Sequence, residues 1–145
     1  MTTPLTEGVV GASPVTRRRG RPVRVAHSFP DWLPPTQIWL YNLVRSLPAD
    51  IETHVLCERV LDPARFRVER LDALREREPL RSFWGRGLRR LGLRHHLAGQ
   101  VRAGRRAGSQ LWHSHFGHVA WADLGVVRRL GIPHVATFYG IDVNK

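Results

Sequence analysis

Polar residues and glycines end two apolar runs in the last third of the sequence. The first run ends in His113, His115, Phe116 and Gly117, and the second ends in Tyr139, Gly140 and Asp142. A helical pattern separates the runs, which is typical of a β-α-β unit, and such folds bind ligands where the strands end. The sequence therefore predicts a binding or catalytic site here. His115 is the candidate catalytic residue, because the following Phe116-Gly117 places it at the exit of its strand.

Histidines at this spacing are also candidate metal ligands. His113 and His115 share one face of a strand, His118 lies just past the strand, and His27 ends an earlier strand candidate. Zinc usually takes three or four ligands with supporting partners, and residues 113–118 include no Cys, Asp or Glu. We therefore expect no metal and no cofactor. The alternative role of His113 is structural, as a partly buried side chain hydrogen-bonded to the backbone.

The elements that must position these residues follow from the apolar patterning. Strands are predicted at residues 23–29, 51–57, 110–116 and 134–138, with a possible edge strand at 65–71. Helices are predicted from Gln37 to Pro48 and over residues 119–130, and two more within 74–107 with a break at 85–92. Thr36 is the predicted N-cap of the first helix, and Gly131 the predicted C-terminal glycine of a later one.

This alternation predicts an α/β fold, a Rossmann-like parallel sheet with helices on both faces. The chain has 145 residues, a length that suits one domain. Residues 1–21 are predicted to be a disordered basic tail, and 22–145 the folded domain. A single cysteine, Cys57, excludes an internal disulfide and favours a cytoplasmic protein. No segment approaches the roughly 20 apolar residues of a membrane span.

The motifs resemble the N-terminal domain of family 4 GT-B glycosyltransferases over about residues 23–145, with residues 58–108 similar only in general character. The resemblance rests on Trp112-His113-Ser114-His115-Phe116-Gly117, on Arg128-Arg129-Leu130-Gly131-Ile132-Pro133, and on Val135 to Asp142. Residues 34–48 also resemble the first helix of that family. Two departures stand out: Tyr139 replaces a common histidine, and Pro34-Pro35 replaces a common glycine pair.

The resemblance implies one half of a GT-B enzyme that transfers a sugar from a nucleotide-sugar donor, with retention and without a metal. This half would hold a glycan or lipid-linked acceptor, and a C-terminal domain would hold the donor. His115 would contact the donor sugar, and Gly140 and Asp142 would match the family's Gly-x-Asp. Thr36 and Gln37, at a helix N-terminus, would favour an acceptor phosphate. No donor domain follows Lys145, so we expect no sugar transfer by this chain alone.

Charge leaves other interpretations open. Net charge is +11, and 22 of the 23 basic residues are arginines, which favours anionic partners or reflects coding bias. Ten arginines between Arg75 and Arg106 alternate with apolar residues, as in helices that lie on an anionic membrane surface such as its inner face. A solvated helix is the alternative. Nucleic acid is a less favoured partner because no recognised motif is present. A split-enzyme half or a frameshifted product also fits the sequence.

Overall fold

A computed structural model describes residues 21–77 and 97–140 of the chain. The strands are β1 (Val23–Ser28), β2 (Asp31–Trp32), β3 (Ile51–Cys57), β4 (Arg59–Val60), β5 (Leu71–Ala73), β6 (Leu111–His115) and β7 (His134–Thr137). The helices are α1 (Ile38–Arg45), α2 (Leu74–Arg77), α3 (Leu97–Ala107) and α4 (Gly117–Leu130), and a 3-10 turn at Pro35–Gln37 precedes α1.

Five strands form one parallel sheet in the order β5-β3-β1-β6-β7. β1 is central because β3 and β6 pair with its two edges, so its residues 23–28 lie opposite 51–56 on one side. On the other side, residues 25–28 lie opposite 111–114. This arrangement confirms the predicted α/β class. β2 and β4 form a separate parallel pair that the sequence pattern did not predict.

Helices cover both faces of the sheet. Leu40 and Val44 of α1 pack against Phe29, Val55 and Cys57 in one core cluster. The opposite cluster joins side chains of α3 and α4 to the sheet, with the members Ala26, Leu56, Leu97, Val101, Ala103, Trp112, Val126 and Val127. Because side chains alternate along each strand, His27 and Phe29 lie on the α1 face, and Ala26 and Trp112 on the α3–α4 face.

The predicted edge strand at residues 65–71 is wrong over most of its length, because only Leu71 belongs to a strand. Phe66 is 1% exposed and packs edge-on against Tyr41. Its carbonyl accepts a hydrogen bond of 2.8 Å from the Trp32 indole, and its N–H donates to the carbonyl of Asp62. These contacts hold the segment in a turn, so its alternating pattern reflects one buried aromatic ring and not a pleated strand.

The first helix begins later than predicted. Thr36 lies in the 3-10 turn and does not cap the helix. The helix α1 starts at Ile38, and Gln37 is its N-cap residue without a side-chain cap hydrogen bond. Gly131 is left-handed, with φ of 66°, and ends α4 as predicted. Residues 1–20 of the predicted tail at 1–21, residues 78–96 of the arginine-rich segment, and Asp142 lie outside the described residues. Within the described ranges, no helix is long and apolar enough to span a bilayer.

Candidate functional site

Three imidazole rings meet on the α1 face of the sheet. His27 of β1 lies opposite His113 of β6 in the parallel register, and His115 follows on the same face two residues later. One ring nitrogen from each histidine lies within 4.8 Å of the corresponding nitrogen of the other two. His118 is exposed and is not a member of this group. The sequence spacing predicted that His113 and His115 share a face, and register adds His27.

His115 is enclosed and does not line an open crevice. Its ring is 0% exposed and stacks on Phe29, with 4.2 Å between ring centroids. Its Nε2 shares a hydrogen bond of 3.1 Å with Nδ1 of His27, and its Nδ1 shares one of 2.7 Å with the hydroxyl of Tyr139. The expectation that His115 reaches a sugar directly therefore needs correction, because side chains from β1 and from beyond β7 cover it.

Burial makes the cluster electrically neutral. Loss of solvation, reinforced by the neighbouring His113, lowers the pKa of His27 from 6.5 to about 3. The same two effects, with a further contribution from His27, lower the pKa of His115 to about 2. Burial and the nearby His134 also lower the pKa of His113. At neutral pH all three rings are therefore uncharged, with a lone pair on one nitrogen of each.

Two hydroxyl groups fix the orientation of the rings. Nε2 of His113 lies 2.7 Å from Oγ1 of Thr137, in hydrogen-bonding contact. His113 is half-buried as expected, but this partner is a side chain and not the predicted backbone group. The Tyr139 hydroxyl orients His115 in the same way. Each ring therefore has its second nitrogen, Nδ1 of His113 or Nε2 of His115, available for a different partner.

Aromatic side chains gather at the carboxyl edge of the sheet. The ring of Tyr139 contacts Phe116, with 5.1 Å between centroids, and Trp39 of α1, with 4.5 Å. Trp39 is 40% exposed, and the neighbouring Phe138 is 59% exposed. Sequence analysis missed Trp39, whose role depends on how α1 lies over the sheet. The available signal in the sequence was a tryptophan outside the apolar stripe formed by residues 40, 43, 44 and 47.

The turn between β6 and α4 has an unusual backbone. Phe116 has φ of 83°, which is rare for a residue with a side chain and costs conformational energy. Gly117 follows, and a Cβ at this position would lie 2.5 Å from the ring of Phe138. Glycine therefore allows the aromatic ring to lie directly against the first turn of α4. Both predicted residues lie at the carboxyl edge, beside His115 and Tyr139.

The remaining predicted residues are less closely associated. Thr36 is exposed and Gln37 half-buried, both in the turn before the helix that carries Trp39. Gly140 is exposed, and a Cβ there would meet none of the residues that the structure describes within 4 Å. Asp142 lies outside the residues that the structure describes. Thus the structure brings His115, Phe116, Gly117 and Tyr139 together at the carboxyl edge.

A serine, a histidine and an aspartate also meet on the opposite face, without forming a nucleophilic triad. The hydroxyl of Ser114 donates to Oδ2 of Asp123 at 2.7 Å and lies 2.8 Å from Nε2 of His134. The Trp112 indole donates to the same carboxylate oxygen at 2.9 Å. Ser114 and Asp123 are both 0% exposed. Because the Ser114 hydroxyl donates its proton to the hydrogen bond with Asp123, it can only accept from the N–H of His134, so this network is structural.

Comparison of the chain with protein families, with curated proteins and with solved structures finds no match. Functional inference therefore depends on the motifs and on the geometry described above.

Proposed function

We propose that this domain holds the acceptor in sugar transfer from a nucleotide sugar, as the N-terminal domains of family 4 GT-B glycosyltransferases do. The supporting observation is the exposed aromatic surface at the carboxyl edge of the sheet. In this fold class the carboxyl edge is where ligands bind, and this edge bears the residues that resemble the family motifs. The donor would be bound by a C-terminal domain of the GT-B kind.

The exposed rings suit a carbohydrate. Binding sites for small molecules combine aromatic walls with a few oriented polar groups, and a sugar offers apolar C–H faces as well as hydroxyls. Trp39 and Phe138 supply exposed aromatic area, and both flank the chain at Tyr139. The indole N–H and the phenol hydroxyl add polar groups to an apolar body. A glycan or the sugar end of a lipid-linked acceptor therefore fits this surface.

His115 acts in this proposal as a positioning residue. Its enclosed ring cannot reach a sugar, but its hydrogen bond to the Tyr139 hydroxyl holds the phenol against Trp39. The parallel planes of His115 and Tyr139, 3° apart, and the stacking of His115 on Phe29 restrict the same ring. A binding surface built on such restrained side chains loses less conformational entropy when a ligand docks.

Trp39→Ala tests the proposal. The full 145-residue chain is screened against an oligosaccharide array and short-chain polyprenyl-linked sugars, and the affinity of each ligand found is measured by saturation-transfer NMR and calorimetry. Trp39→Ala should weaken binding about 5-fold or more, equivalent to about 1 kcal/mol. The matched control is Trp121→Ala, because Trp121 is 68% exposed on α4, the helix of the opposite face.

Three results would contradict the proposal. They are the absence of any carbohydrate ligand, equal losses in the two tryptophan variants, and turnover of a nucleotide sugar by the chain without a second protein. The last result would place donor binding within this domain.

A further inference from the structure

We propose that His27, His113 and His115 form a binding site for one divalent transition-metal ion, of which Zn²⁺ is the representative. This inference goes beyond acceptor binding, since the family that the motifs resemble transfers sugars without a metal. It rests on the juxtaposition of three ring nitrogens on adjacent parallel strands, all within 4.8 Å of one another. It does not depend on the proposed carbohydrate site.

The nitrogen spacing is close to that of a metal site. Zinc binds histidine nitrogen at about 2.0–2.1 Å in tetrahedral geometry, so two such nitrogens lie about 3.3 Å apart. Nδ1 of His27 and Nε2 of His115 are 3.1 Å apart. Two nitrogens at this distance need one proton between them, and a metal cation can replace that proton. Because the three nitrogens lie within 4.8 Å of one another, His113 needs a shift of up to about 1.5 Å to become the third ligand.

Supporting hydrogen bonds are present on two of the three rings. Metal-binding histidines usually donate their second N–H to an oxygen atom that fixes the ring. The hydroxyl of Tyr139 does this for Nδ1 of His115, and the hydroxyl of Thr137 for Nε2 of His113. Nε2 of His115 and Nδ1 of His113 thereby become the ligand atoms. Nε2 of His27 is buried without a hydrogen-bond partner among the described residues, so the polar cluster is incompletely satisfied.

The donor set selects the kind of ion. Three neutral imidazoles suit zinc, cobalt, nickel or copper, whereas magnesium and calcium prefer oxygen ligands. Three protein ligands also leave a fourth position for water or a ligand atom. Access is from the α1 face of β6 and β7, where His113 is half-buried and its register neighbour Val135 is 43% exposed.

Metal titration of the whole chain tests this proposal. After dialysis against a chelator, the protein is titrated with ZnCl₂ by calorimetry and with CoCl₂ by visible absorption. We expect one ion per chain and the intense d–d bands of tetrahedral cobalt. His113→Gln should weaken affinity at least about 10-fold, and Tyr139→Phe, which removes only a supporting hydroxyl, about 10-fold. His118→Gln, at an exposed neighbouring histidine, should leave affinity unchanged.

Additional measurements separate this site from other sources of binding. His95 and His96 are adjacent histidines, so the titrations are repeated in a His95→Gln/His96→Gln background. Long-range ¹H–¹⁵N spectra of the imidazoles should show zinc-dependent shifts at Nε2 of His115 and Nδ1 of His113. Circular dichroism checks that each variant folds. If His113→Gln does not fold, Tyr139→Phe against His118→Gln still decides the outcome.

The proposal is overturned if the protein with the His95→Gln/His96→Gln background binds no zinc, or if His113→Gln and His118→Gln bind zinc equally well. Zinc binding without any carbohydrate ligand would contradict only the proposed function. Carbohydrate binding without zinc would contradict only the metal site.

Discussion

At the scale of single residues, the buried imidazoles link the fold to pH. His27 and His115 are 2% and 0% exposed, and burial holds their pKa values at about 3 and about 2. In the unfolded chain both groups return to a pKa near 6.5. Between these values the unfolded state binds protons that the folded state does not, so acid favours unfolding.

We therefore expect the free energy of unfolding to be constant above about pH 7.5 and to fall as the pH drops through 6.5. The two rings together should remove about 3 kcal/mol between pH 6.5 and 5, and His113, with its lowered pKa, adds to the loss. Urea unfolding followed by circular dichroism, in the presence of a chelator, measures this. His27→Gln removes one titrating ring and should reduce the slope. A stability that is level over this interval would contradict the buried, neutral state of these rings.

Residue placement in the site could be predicted only partly from sequence. Strand alternation correctly places His113 and His115 on one face, and the Phe116-Gly117 pair correctly places His115 at a strand exit. The burial of His115 could not be predicted, because its cover comes from Phe29 and Tyr139, which are far away along the chain. Such contacts depend on which strands become neighbours.

At the scale of elements, α3 packs closely on its neighbours at a glycine. A Cβ at Gly104 would lie 2.9 Å from both Leu130 of α4 and Trp112 of β6. Among the described residues, one at Gly99 would meet only Leu74, at 3.8 Å. Trp112 is 0% exposed and has little room to move. Both glycines lie in the same helix, so they form a matched pair.

Gly99→Ala should raise the free energy of unfolding by up to about 1 kcal/mol, because alanine favours helix and the added methyl meets an ordinary contact. Gly104→Ala should lower it by about 1–2 kcal/mol, since overpacking outweighs the same helical gain. Denaturant unfolding of the two variants at pH 7.5 measures the difference. If both variants were stabilised alike, the close contact between α3, α4 and β6 would be wrong.

Element types were predictable where periodicity was strong. The pattern correctly predicts β3 at Ile51–Cys57, and β6, α4 and β7 to within two residues. It failed at 65–71 because Phe66 is buried by α1 and Trp32, which a local pattern cannot indicate. The two-residue strands β2 and β4 are too short to produce a periodic signal.

At the scale of the whole molecule, the charge of +11 produces general attraction to polyanions. Within residues 21–77 and 97–140, the exposed arginines are distributed over different elements and both faces, as Arg24 of β1, Arg45 of α1, Arg105 of α3 and Arg128 of α4 illustrate. Others are paired, as Arg59 is with Asp31 and Arg70 with Glu52. Specific nucleic-acid binding instead needs basic groups clustered on one surface.

We expect the chain to bind duplex DNA only weakly and in a salt-dependent manner. Filter binding at increasing NaCl should give an affinity that falls steeply with salt, since released counterions supply most of the binding free energy. At physiological salt the dissociation constant should be no tighter than about 1 μM, as for nonspecific binding. Submicromolar affinity there would instead support a nucleic-acid partner.

The position of β1 also determines the order in which the sheet is completed during synthesis. This strand is the first of the sheet to emerge from the ribosome, yet one of its two edges is matched only when residues 111–114 have been translated. Until then its backbone donors and acceptors on that side have no native partner. Because remote pairing of this kind slows folding and leaves strand edges prone to aggregation, the edge of β1 that β6 will occupy is open to incorrect pairing until then, since β3 pairs with the opposite edge.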